Sequence, residues 1–591
     1  MKRPLRLWPG ILAAIFIVLA RTMVPILSGS DRLGILVGLA GAVVVLLWWL
    51  LFSRATWTLR IGVVALIGVA AVTTSLFAHE SIAFGGGGLL FVFLLPATIP
   101  LFLVAGAILS RRASPAAQWA TMTAAILVSC GVWLLARTDG IKGEGRTELA
   151  WRWTPTAEER LLAANRTVTS SPSTSTGPTA PSGSATPAAA PETVRTEKPK
   201  VSAPAVQPVL WSGFRGRTRD AEVNGVRIHT DWSTRKPREI WRRPIGPGWS
   251  SFAVAGDLIF TQEQRGESEV VSAYTLASGA PVWRHQDRVR FYEPAGGAGP
   301  RATPTVYGGR VYAMGATGIV NALDATTGAL IWTRNVETDT GARRPDWGFS
   351  GSPIVVGDLL VVAASGRLVA YDLANGTPRW TRQTSGGGYS SPHPATLAGV
   401  PQILLLNGSG ITSVSLDGGI LWESHSEDGM GIIQPRVLDD RSVVMGSGGS
   451  LQGLGLRRLA VSRAPGGAWN VEERWTSRGL KPYFSDYVVH KGHAYGFDGL
   501  IMSAINLQTG ERVWKGGRYG AGQVLLLPGQ DLLLVLSEEG DLALVAAAPD
   551  KHTELAKFKA IEGKTWNHPV LIGDLLLVRN GEEMAAFRLA R

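Results

Sequence analysis

The hydrophobic pattern divides the chain into two unlike parts. Up to residue 136 the apolar residues form long runs, of the ~17–25 residues with which a helix crosses a bilayer. Beyond residue 210 they form short stretches separated by glycine-containing turns, which is typical of β-strands. The long runs are Leu7–Ser28 with Arg21, Gly34–Phe52, Ile61–Ala78, Ile82–Ser110 with Pro96 and Pro100, and Ala113–Ala136. We predict a five-helix transmembrane domain over residues 1–136, followed by an all-β domain.

The basic residues between the long runs predict the orientation of the helices. Arg32 alone falls in the short loops on one side, whereas seven basic residues share the other: Lys2, Arg3, Arg6, Arg54, Arg60, Arg111 and Arg112. Lys and Arg accumulate in cytoplasmic loops, so we expect a cytoplasmic N-terminus in a bacterial-type inner membrane. Five crossings then place the all-β domain in the periplasm. A signal peptide is the alternative for Leu7–Ala20, but no small-x-small cleavage site follows it.

Two segments connect the predicted domains. Residues 137–164 form a juxtamembrane segment, in which Pro155 and Glu158–Leu162 predict a short helix near the membrane surface. Residues 165–208 are Ser, Thr, Pro and Ala with few large apolar side chains, which predicts a disordered tether. A flexible coil of this length spans on the order of 35 Å. We therefore expect the next domain to be able to sit clear of the bilayer.

One phrase recurs in the second part of the chain. It reads AYTLASGAPVW at 273–283, NALDATTGALIW at 321–332, AYDLANGTPRW at 370–380 and AINLQTGERVW at 504–514. The aromatic residue that ends the phrase, or takes its place, lies at positions 241, 283, 332, 380, 422, 475, 514 and 558. A period of about 45 residues with four short strands indicates a propeller blade. We predict an eight-bladed β-propeller with four-stranded blades over residues 209–591, closed when Arg238–Pro244 completes the last blade.

The repeat, in its form Ala-x-Asp-x-x-Thr-Gly-x-x-x-Trp, resembles the pyrroloquinoline quinone (PQQ)-like β-propeller repeat family over roughly residues 210–591. The whole layout is similar to that of membrane-bound quinoprotein glucose dehydrogenases, which place five helices ahead of an exported propeller. The blades are also similar to those of the propeller lipoprotein of outer-membrane β-barrel assembly. The first resemblance implies PQQ and Ca²⁺ in the axial funnel with an Asp base. The second implies a scaffold without a cofactor.

Charge and cysteine content narrow the function further. The formal net charge is +12, but the clearest Lys/Arg clusters flank membrane segments and no basic block with interleaved aromatic residues occurs. We therefore expect no nucleic-acid partner. The one cysteine, Cys130, lies in an apolar run, so intrachain disulfides and Cys-based metal sites are excluded. The vicinal cysteine pair of alcohol-oxidising quinoproteins is absent, and we predict no metal site.

The candidate site lies at the propeller axis, where the starts of the innermost strands converge on one mouth. Polar and aromatic residues that differ from blade to blade stand at these starts: Trp249, Arg301, Tyr389, His393, Gln434, Asp486, Trp566, Asn567 and His568. Aromatic faces beside charged and imidazole groups predict a ligand pocket, with Asp486 as the candidate base. The alternative is that polar residues here only cap the backbone of the crowded axis.

Two functions follow from these observations. The favoured one is a membrane-anchored, extracytoplasmic binding or scaffold module of the cell envelope, which engages an envelope protein or a small molecule at the axis without a cofactor. The alternative is a PQQ-dependent sugar or alcohol dehydrogenase that passes electrons to membrane quinone. The inter-blade connections look extended only at 285–300 and 445–470, and no Glu–Asn–Asp set for calcium and base can be placed. Both observations favour the binding module.

Overall fold

The computed structural model describes residues 5–28, 31–85, 88–143, 147–169, 207–426, 429–446 and 455–591. Its first part is helical, with α1 to α6 at Trp8–Ser28, Asp31–Leu47, Trp57–Phe77, Glu80–Ala83, Leu89–Leu109 and Pro115–Leu135. A π-helical turn, Trp48–Phe52, continues α2. The helices pack chiefly through apolar side chains such as Val45, Val63, Leu103 and Ile126, which are fully buried.

Fewer of these helices meet the requirements for crossing a membrane than the sequence predicts. Among the described residues, three stretches are long and apolar enough: Leu33–Phe52, Trp57–Phe77 and Pro115–Leu135. Two more apolar stretches, Trp8–Val24 and Phe93–Leu109, are shorter. The predicted count of five is therefore not confirmed. Trp8–Val24 carries Arg21, whose guanidinium donates to the carbonyl of Phe93 in α5 at 2.9 Å.

The segment after α6 forms a hairpin and a helix. Strands β1 (Ala136–Ile141) and β2 (Thr147–Trp151) pair antiparallel, and the loop after α3 is fixed to this hairpin where the Thr138 amide donates to Ser81 Oγ at 3.0 Å. The predicted short helix is α7 (Ala157–Thr169). It starts with a reciprocal capping box between Thr156 and Glu159. Helix α7 extends into the predicted tether, and the part of that tether at 170–206 lies outside the described residues.

Residues 207–591, where described, form eight blades of antiparallel strands around one axis. From the innermost strand outward, blades 1 to 4 are Ala253–Ala255, Leu258–Arg265, Ser268–Thr275, Pro281–Asp287; Thr305–Tyr307, Arg310–Met314, Ile319–Asp324, Leu330–Asn335; Ile354–Val356, Leu359–Ala363, Arg367–Asp372, Pro378–Gln383; and His393–Leu397, Val400–Asn407, Gly410–Ser415, Ile420–His425. Blades 5 to 8 are Arg436–Asp439, Ser442–Gly446, Leu456–Arg463, Trp469–Ser477; Val488–His490, His493–Asp498, Ile501–Asn506, Arg512–Arg518; Gln523–Leu527, Leu532–Leu536, Asp541–Ala546, Glu554–Lys559; and Val570–Ile572, Leu575–Arg579, Glu583–Arg588 with Arg238–Pro244 outermost. The predicted eight-bladed propeller with four-stranded blades is confirmed.

The ring closes as predicted. Strand Arg238–Pro244 pairs antiparallel with Glu583–Arg588 from the other end of the domain, with Trp241 opposite Ala586. The seam is reinforced by Arg579, which is 1% exposed and donates to Thr261 Oγ1 at 2.7 Å and to the Gln262 carbonyl at 2.9 Å in blade 1. Pairing the two ends covers the edge that Glu583–Arg588 would otherwise leave open.

Smaller elements connect or extend the blades. A short strand, Val209–Trp211, adds to the inner edge of blade 1. A two-residue-strand hairpin, Tyr292–Glu293 with Gly297–Ala298, occupies the extended connection between blades 1 and 2. Helix α8 (Val336–Thr340) follows blade 2, and a 3₁₀ turn, Pro528–Gln530, follows the first strand of blade 7.

The aromatic residue of the repeat packs between neighbouring blades. Trp332 lies on the turn of blade 3, where its indole N–H donates to the Leu373 carbonyl at 3.3 Å and its ring faces Gly376. Trp241, Trp283 and Trp475 donate in the same way to the carbonyls of Leu276, Ala325 and Leu507. These four tryptophans are therefore inter-blade contacts, which is an architectural role, whereas Trp422 donates to Gln402 of its own blade.

The propeller contacts the segment that follows α6. Glu158 of α7 accepts from the Gly266 amide at 2.7 Å and forms a two-point ion pair with Arg290, at 2.9 Å for each nitrogen. The Gly143 amide donates to Glu538 Oε1 at 2.8 Å, and Lys142 pairs with Glu539 at 2.9 Å. Gly266, Glu538 and Glu539 belong to turns between the second and third strands of their blades. These contacts hold the propeller against the segment that follows α6, and the expectation that it can sit clear of the bilayer stays a prediction.

Candidate functional site

A cavity of about 380 Å³ lies at the axis, on the side of the propeller that faces the membrane-proximal hairpin. Its walls come from the connections that lead into the innermost strands, and from Ile141–Gly143 at the end of β1. Six of the nine predicted site residues line it: Trp249, Arg301, Tyr389, Asp486, Trp566 and His568. The axis is therefore a cavity, as the sequence predicts, and a segment that precedes the propeller supplies part of its wall.

Six aromatic rings form a continuous belt around this cavity. Successive ring centroids are 4.7 to 6.2 Å apart in the order Trp249, Trp566, Phe484, Tyr483, Trp347, Tyr389. All six side chains line the cavity. Rings held by one another at these separations lose little freedom when a ligand arrives. The belt can therefore bind a flat, partly apolar surface without first having to be ordered.

Arg301 has hydrogen-bond partners at one terminal nitrogen of its guanidinium, Nη2, but not at the other, Nη1. Its Nη2 pairs with Glu293 at 3.1 Å and donates to the Gly297 carbonyl at 2.8 Å, and its guanidinium lies 5.0 Å from the Phe291 ring centroid. Burial lowers the pKa of Arg301, although the charge of Glu293 acts in the opposite direction. Its Nη1 is buried and has no hydrogen-bond partner among the described residues. Arg301 thus offers one donor to a bound molecule.

His568 offers the complementary group. The ring is 4% exposed, its Nδ1 lies 3.1 Å from the Pro569 carbonyl, and Phe214 meets it edge-on at 6.1 Å. Since a carbonyl can only accept, Nδ1 carries the hydrogen and Nε2 is left as an acceptor. That Nε2 is buried without a partner in the described part of the chain. Burial lowers the pKa of His568 to about 3, so the ring is neutral at ordinary pH.

Asp486 lies at the cavity wall but is already engaged. Its Oδ1 accepts from the Gln434 amide at 2.9 Å and lies 3.5 Å from Arg215. Burial raises the pKa of Asp486, while the Arg215 charge and the Gln434 amide act to lower it. Through these contacts Asp486 connects the segment ahead of blade 1, at Arg215, to the start of blade 5, at Gln434. Its use as a base stays a prediction.

The segment ahead of blade 1 closes the axis beneath this cavity. Arg215 donates to the Tyr487 carbonyl at 2.6 Å, and Phe214 reaches the cavity wall. Arg219 is 5% exposed and donates to the carbonyls of Ser352, Pro353 and Pro392, which belong to blades 3 and 4. The Val223 amide donates to Leu526 of blade 7 at 2.8 Å. Residues 215–223 therefore connect the inner strands of several blades and close one end of the axial cavity.

Three predicted residues lie outside the cavity wall. Asn567 donates to the Ser250 carbonyl at 2.7 Å, and Gln434 donates to Ser390 Oγ at 3.2 Å, so both connect neighbouring inner strands. His393 is 3% exposed, and burial lowers its pKa to about 4. Asn567 and Gln434 therefore have partners at neighbouring inner strands, and a role for them in binding stays a prediction.

Lys564 is a site residue that the sequence analysis missed. Its ammonium lies 4.3 Å from the Trp566 ring centroid and 5.1 Å from that of Trp249, with two backbone carbonyls, of Ile141 and Ala295, at 3.4 Å. Burial lowers the pKa of Lys564 to about 8, against the influence of three nearby carboxylates. Lys564 thus joins the aromatic belt to β1. A lysine outside the repeat phrase carries no sequence signal for this position.

A second, larger cavity of about 860 Å³ lies between the helices and the propeller. It is lined by residues from the loop after α3, from β1 and α7, and from three blades, and it shares Trp249 and Gly296 with the axial cavity. Charged side chains such as Glu80, Arg137, Arg160 and Glu582 surround it. The axial cavity is therefore next to a polar space on the membrane side.

The cavity residues do not match the donor set that PQQ with Ca²⁺ requires. In the parts of the chain that the structure describes, no group of three or more His, Cys, Asp or Glu side chains is placed to hold a metal ion. The two carboxylates in the cavity wall, Glu293 and Asp486, are each turned to an arginine. Ca²⁺ needs six to eight oxygen ligands, so these residues do not fit a calcium-bound cofactor.

Comparison with known proteins agrees with this architecture. Residues 226–396 match the sequence family described as outer membrane protein assembly factor BamB. The matched residues fall in blades 1 to 4 of the propeller and the segment ahead of them. A BamB of Shewanella oneidensis is 28% identical over 203 residues, covering 32% of this chain. A quinohemoprotein alcohol dehydrogenase of Comamonas testosteroni is 34% identical over 113 residues, covering 18% of this chain. The matched segments span only 46% and 15% of the lengths of these two relatives.

Two solved structures superpose on part of this chain. BamB from Moraxella catarrhalis superposes with a TM-score of 0.43 at 15% identity, covering 60% of this chain and 97% of that protein. A europium-containing methanol dehydrogenase superposes with a TM-score of 0.47 at 11% identity, covering 64% of this chain and 98% of that protein.

Proposed function

We propose that the protein is a membrane-anchored binding module of the cell envelope, whose PQQ-like propeller takes up a small ligand in the axial cavity. The observation that carries the proposal is the belt of six aromatic rings around about 380 Å³ of space. This volume falls in the lower part of the ~300–1,000 Å³ typical of small-molecule sites. Ile141–Gly143 narrow the mouth, which favours a small molecule over an inserted loop of a partner protein.

The free polar atoms define the chemistry of the ligand. Arg301 Nη1 requires an acceptor and His568 Nε2 requires a donor. Both atoms are covered in this structure, so a ligand reaches them only if their side chains or neighbours move. A buried group without its partner costs about 1–3 kcal/mol, so a ligand that satisfies both after such a movement gains affinity. A hydroxyl group both donates and accepts, and a saturated ring with hydroxyls presents a flat apolar face to the indoles. We therefore expect a hydroxylated ring compound, such as a mono- or disaccharide.

We further propose the following membrane arrangement. Helices α1 and α5 each have 21 residues, about 31 Å at 1.5 Å per residue, so they cross together with the three helices that meet the length and composition requirements. Three and five crossings are both odd numbers, so with a cytoplasmic N-terminus the propeller lies on the outer side of the inner membrane. We propose with it the same division of the chain: a transmembrane domain at 1–136, a juxtamembrane segment at 137–164, a tether at 165–208 and the propeller at 209–591.

The test is saturation-transfer NMR on the purified full chain with glucose, N-acetylglucosamine and their disaccharides. We expect transfer to at least one compound, weakened about tenfold in Trp566→Ala, which removes one wall of the belt. Tenfold corresponds to about 1.4 kcal/mol, the value expected for one aromatic contact. Tyr307→Ala is the control, because Tyr307 is 49% exposed and is not a cavity residue. Equal binding by both variants, or binding of none of these compounds, would refute the proposed ligand class.

The dehydrogenase remains a second candidate because of the sequence similarity to a quinohemoprotein alcohol dehydrogenase. It is tested by adding PQQ and Ca²⁺ to the full chain and measuring cofactor absorbance and dye reduction with sugars and alcohols. Stoichiometric PQQ binding that Arg301→Gln abolishes, with the unfolding temperature unchanged, would overturn the binding-module proposal. Saccharide binding without PQQ binding would refute the dehydrogenase hypothesis, and with it the predicted electron transfer to membrane quinone.

A further inference from the structure

Two tryptophans near the end of α6 form an exposed stack that the axial site does not use. The rings of Trp151 and Trp153 are parallel within 2°, with centroids 5.2 Å apart, and they are 48% and 65% exposed. Leu149 is 50% exposed and lies two residues before Trp151 in β2, so both side chains point to the same face of the strand. We call Leu149, Trp151 and Trp153 the indole patch.

The backbone fixes the indole patch beside the end of a candidate spanning helix. The Arg152 amide donates to the Leu135 carbonyl at 2.9 Å, and the Arg152 guanidinium donates to the Leu134 carbonyl at 3.0 Å. Leu135 is the last residue of α6, whose 21 residues measure about 31 Å. The hydrocarbon core of a bilayer is about 30 Å thick. A helix of this length puts Leu135 at the edge of the hydrocarbon, and the indole patch level with it.

From this placement we propose that the indole patch inserts into the phospholipid headgroup layer on the propeller side of the membrane. Tryptophan is enriched at that depth because its ring is largely apolar while its N–H needs a polar partner. Arg152 lies between the two tryptophans in sequence, and its cation beside the patch suits anionic lipid headgroups. The occupant we infer is therefore the lipid surface itself.

The consequence is a second attachment of the propeller to the bilayer. Strand β2 pairs with β1, with Trp151 opposite Ala136 and Thr147 opposite Ile141. Ile141 in turn forms part of the axial cavity wall. Insertion of the indole patch therefore sets the height of the hairpin, and with it the position of the wall that β1 gives to the cavity.

The experiment uses the full chain in vesicles of phosphatidylcholine and phosphatidylglycerol. Cys130 is the only cysteine and is buried, so Cys130→Ala allows a single label. An NBD fluorophore is attached at Leu149→Cys, which keeps both tryptophans, and at Tyr307→Cys as the control. Tyr307 ends an innermost strand whose start faces the cavity, so it lies on the far face of the propeller. Lipids carry a spin label at the headgroup, at acyl carbon 5 or at acyl carbon 12.

We expect headgroup and carbon-5 labels to quench NBD at position 149 at least twofold more than carbon-12 labels, with no quenching at position 307. Trp151→Ser with Trp153→Ser should reduce the quenching at position 149 at least twofold while the unfolding temperature stays within a few degrees. Quenching at 149 no greater than at 307 would overturn the proposal. So would quenching that is unchanged after both tryptophans are replaced, since the hairpin would then be held at that depth by α6 alone.

Discussion

The contact between Gly376 and Trp332 gives a sharp test of how the blades hold together. Gly376 has φ of +74°, and its amide donates to the Asp372 carbonyl at 2.8 Å. A Cβ at this position would lie 2.6 Å from Cδ2 of Trp332 in the preceding blade. Gly376 is thus required twice, once by its backbone conformation and once by the indole that packs on it. Gly376→Ala violates both requirements.

The expected cost follows from these two requirements. Placing an L-residue in the left-handed region costs roughly 1–2 kcal/mol, and forcing extra volume into a packed contact costs a further ~1–3 kcal/mol. We therefore expect Gly376→Ala to destabilise the propeller by about 2–5 kcal/mol. The matched control is Gly357→Ala in the same blade. Gly357 has φ of +61° but nothing within 4 Å of its would-be Cβ, so it bears only the conformational cost of about 1–2 kcal/mol.

Thermal unfolding of the full chain in lipid nanodiscs measures both variants. A domain of 150–250 residues loses ~2–4 °C per kcal/mol, and the larger propeller should lose about half as much. At about 1–2 °C per kcal/mol, we expect a fall of about 2–10 °C for Gly376→Ala and about 1–4 °C for Gly357→Ala. In a Trp332→Ala background the two glycine substitutions should cost the same, because the contact is already gone. Equal costs with Trp332 in place would refute the role of the indole in requiring glycine.

Two further predictions concern acid stability and the membrane-side contact. Since burial lowers the pKa of His568 to about 3 and of His393 to about 4, only the unfolded chain binds these protons below pH 6.5. The free energy of unfolding should therefore fall between pH 6.5 and pH 4, by at most ~1.4 kcal/mol per pH unit for each histidine, and the unfolding temperature should fall with it. His568→Asn should flatten this slope. Glu158→Gln should speed hydrogen exchange at the Gly266 amide, whereas Glu159→Gln, in the exposed capping box, should not. An unchanged pH dependence of unfolding in His568→Asn would contradict the first prediction. Unchanged hydrogen exchange at the Gly266 amide in Glu158→Gln would contradict the second.

The propeller could be predicted from the sequence because its construction repeats. Asp324 accepts from the Thr327 amide at 2.8 Å, and Asp372 accepts from the Asn375 amide at 3.3 Å, so one turn chemistry serves successive blades. The closing strand followed from the same logic, since the last blade lacked one strand and the start of the domain had one to spare. The pairing of the third and fourth strands also shifts register at the same point in both blades, between Ala322 and Leu323 in blade 2 and between Ala370 and Tyr371 in blade 3.

The candidate site was predicted only in part because most of its groups are not periodic. Trp249, Arg301 and Trp566 were found because they precede innermost strands, which any propeller brings to one mouth. Trp347 and Lys564 lie in connections whose paths the repeat does not determine. Arg219 reaches carbonyls of Ser352 and Pro392, more than 130 residues away in the chain. No local pattern encodes such a contact, since it depends on where the closed ring places distant backbone.

The two faces of the propeller differ for a reason that follows from strand direction. Innermost strands start at the cavity, so the turns after the first and third strands lie on the far face, where the repeat phrase and its glycines are found. The turns after the second strand return to the membrane side. There Gly266, Glu538 and Glu582 meet Glu158, Gly143 and Arg160 from the membrane-proximal segment. The repeat thus constrains the face away from the membrane, while the other face is free to vary. The axial cavity adjoins the polar space on this side, since both are lined by Trp249 and Gly296, and Ile141 of the hairpin forms part of its wall.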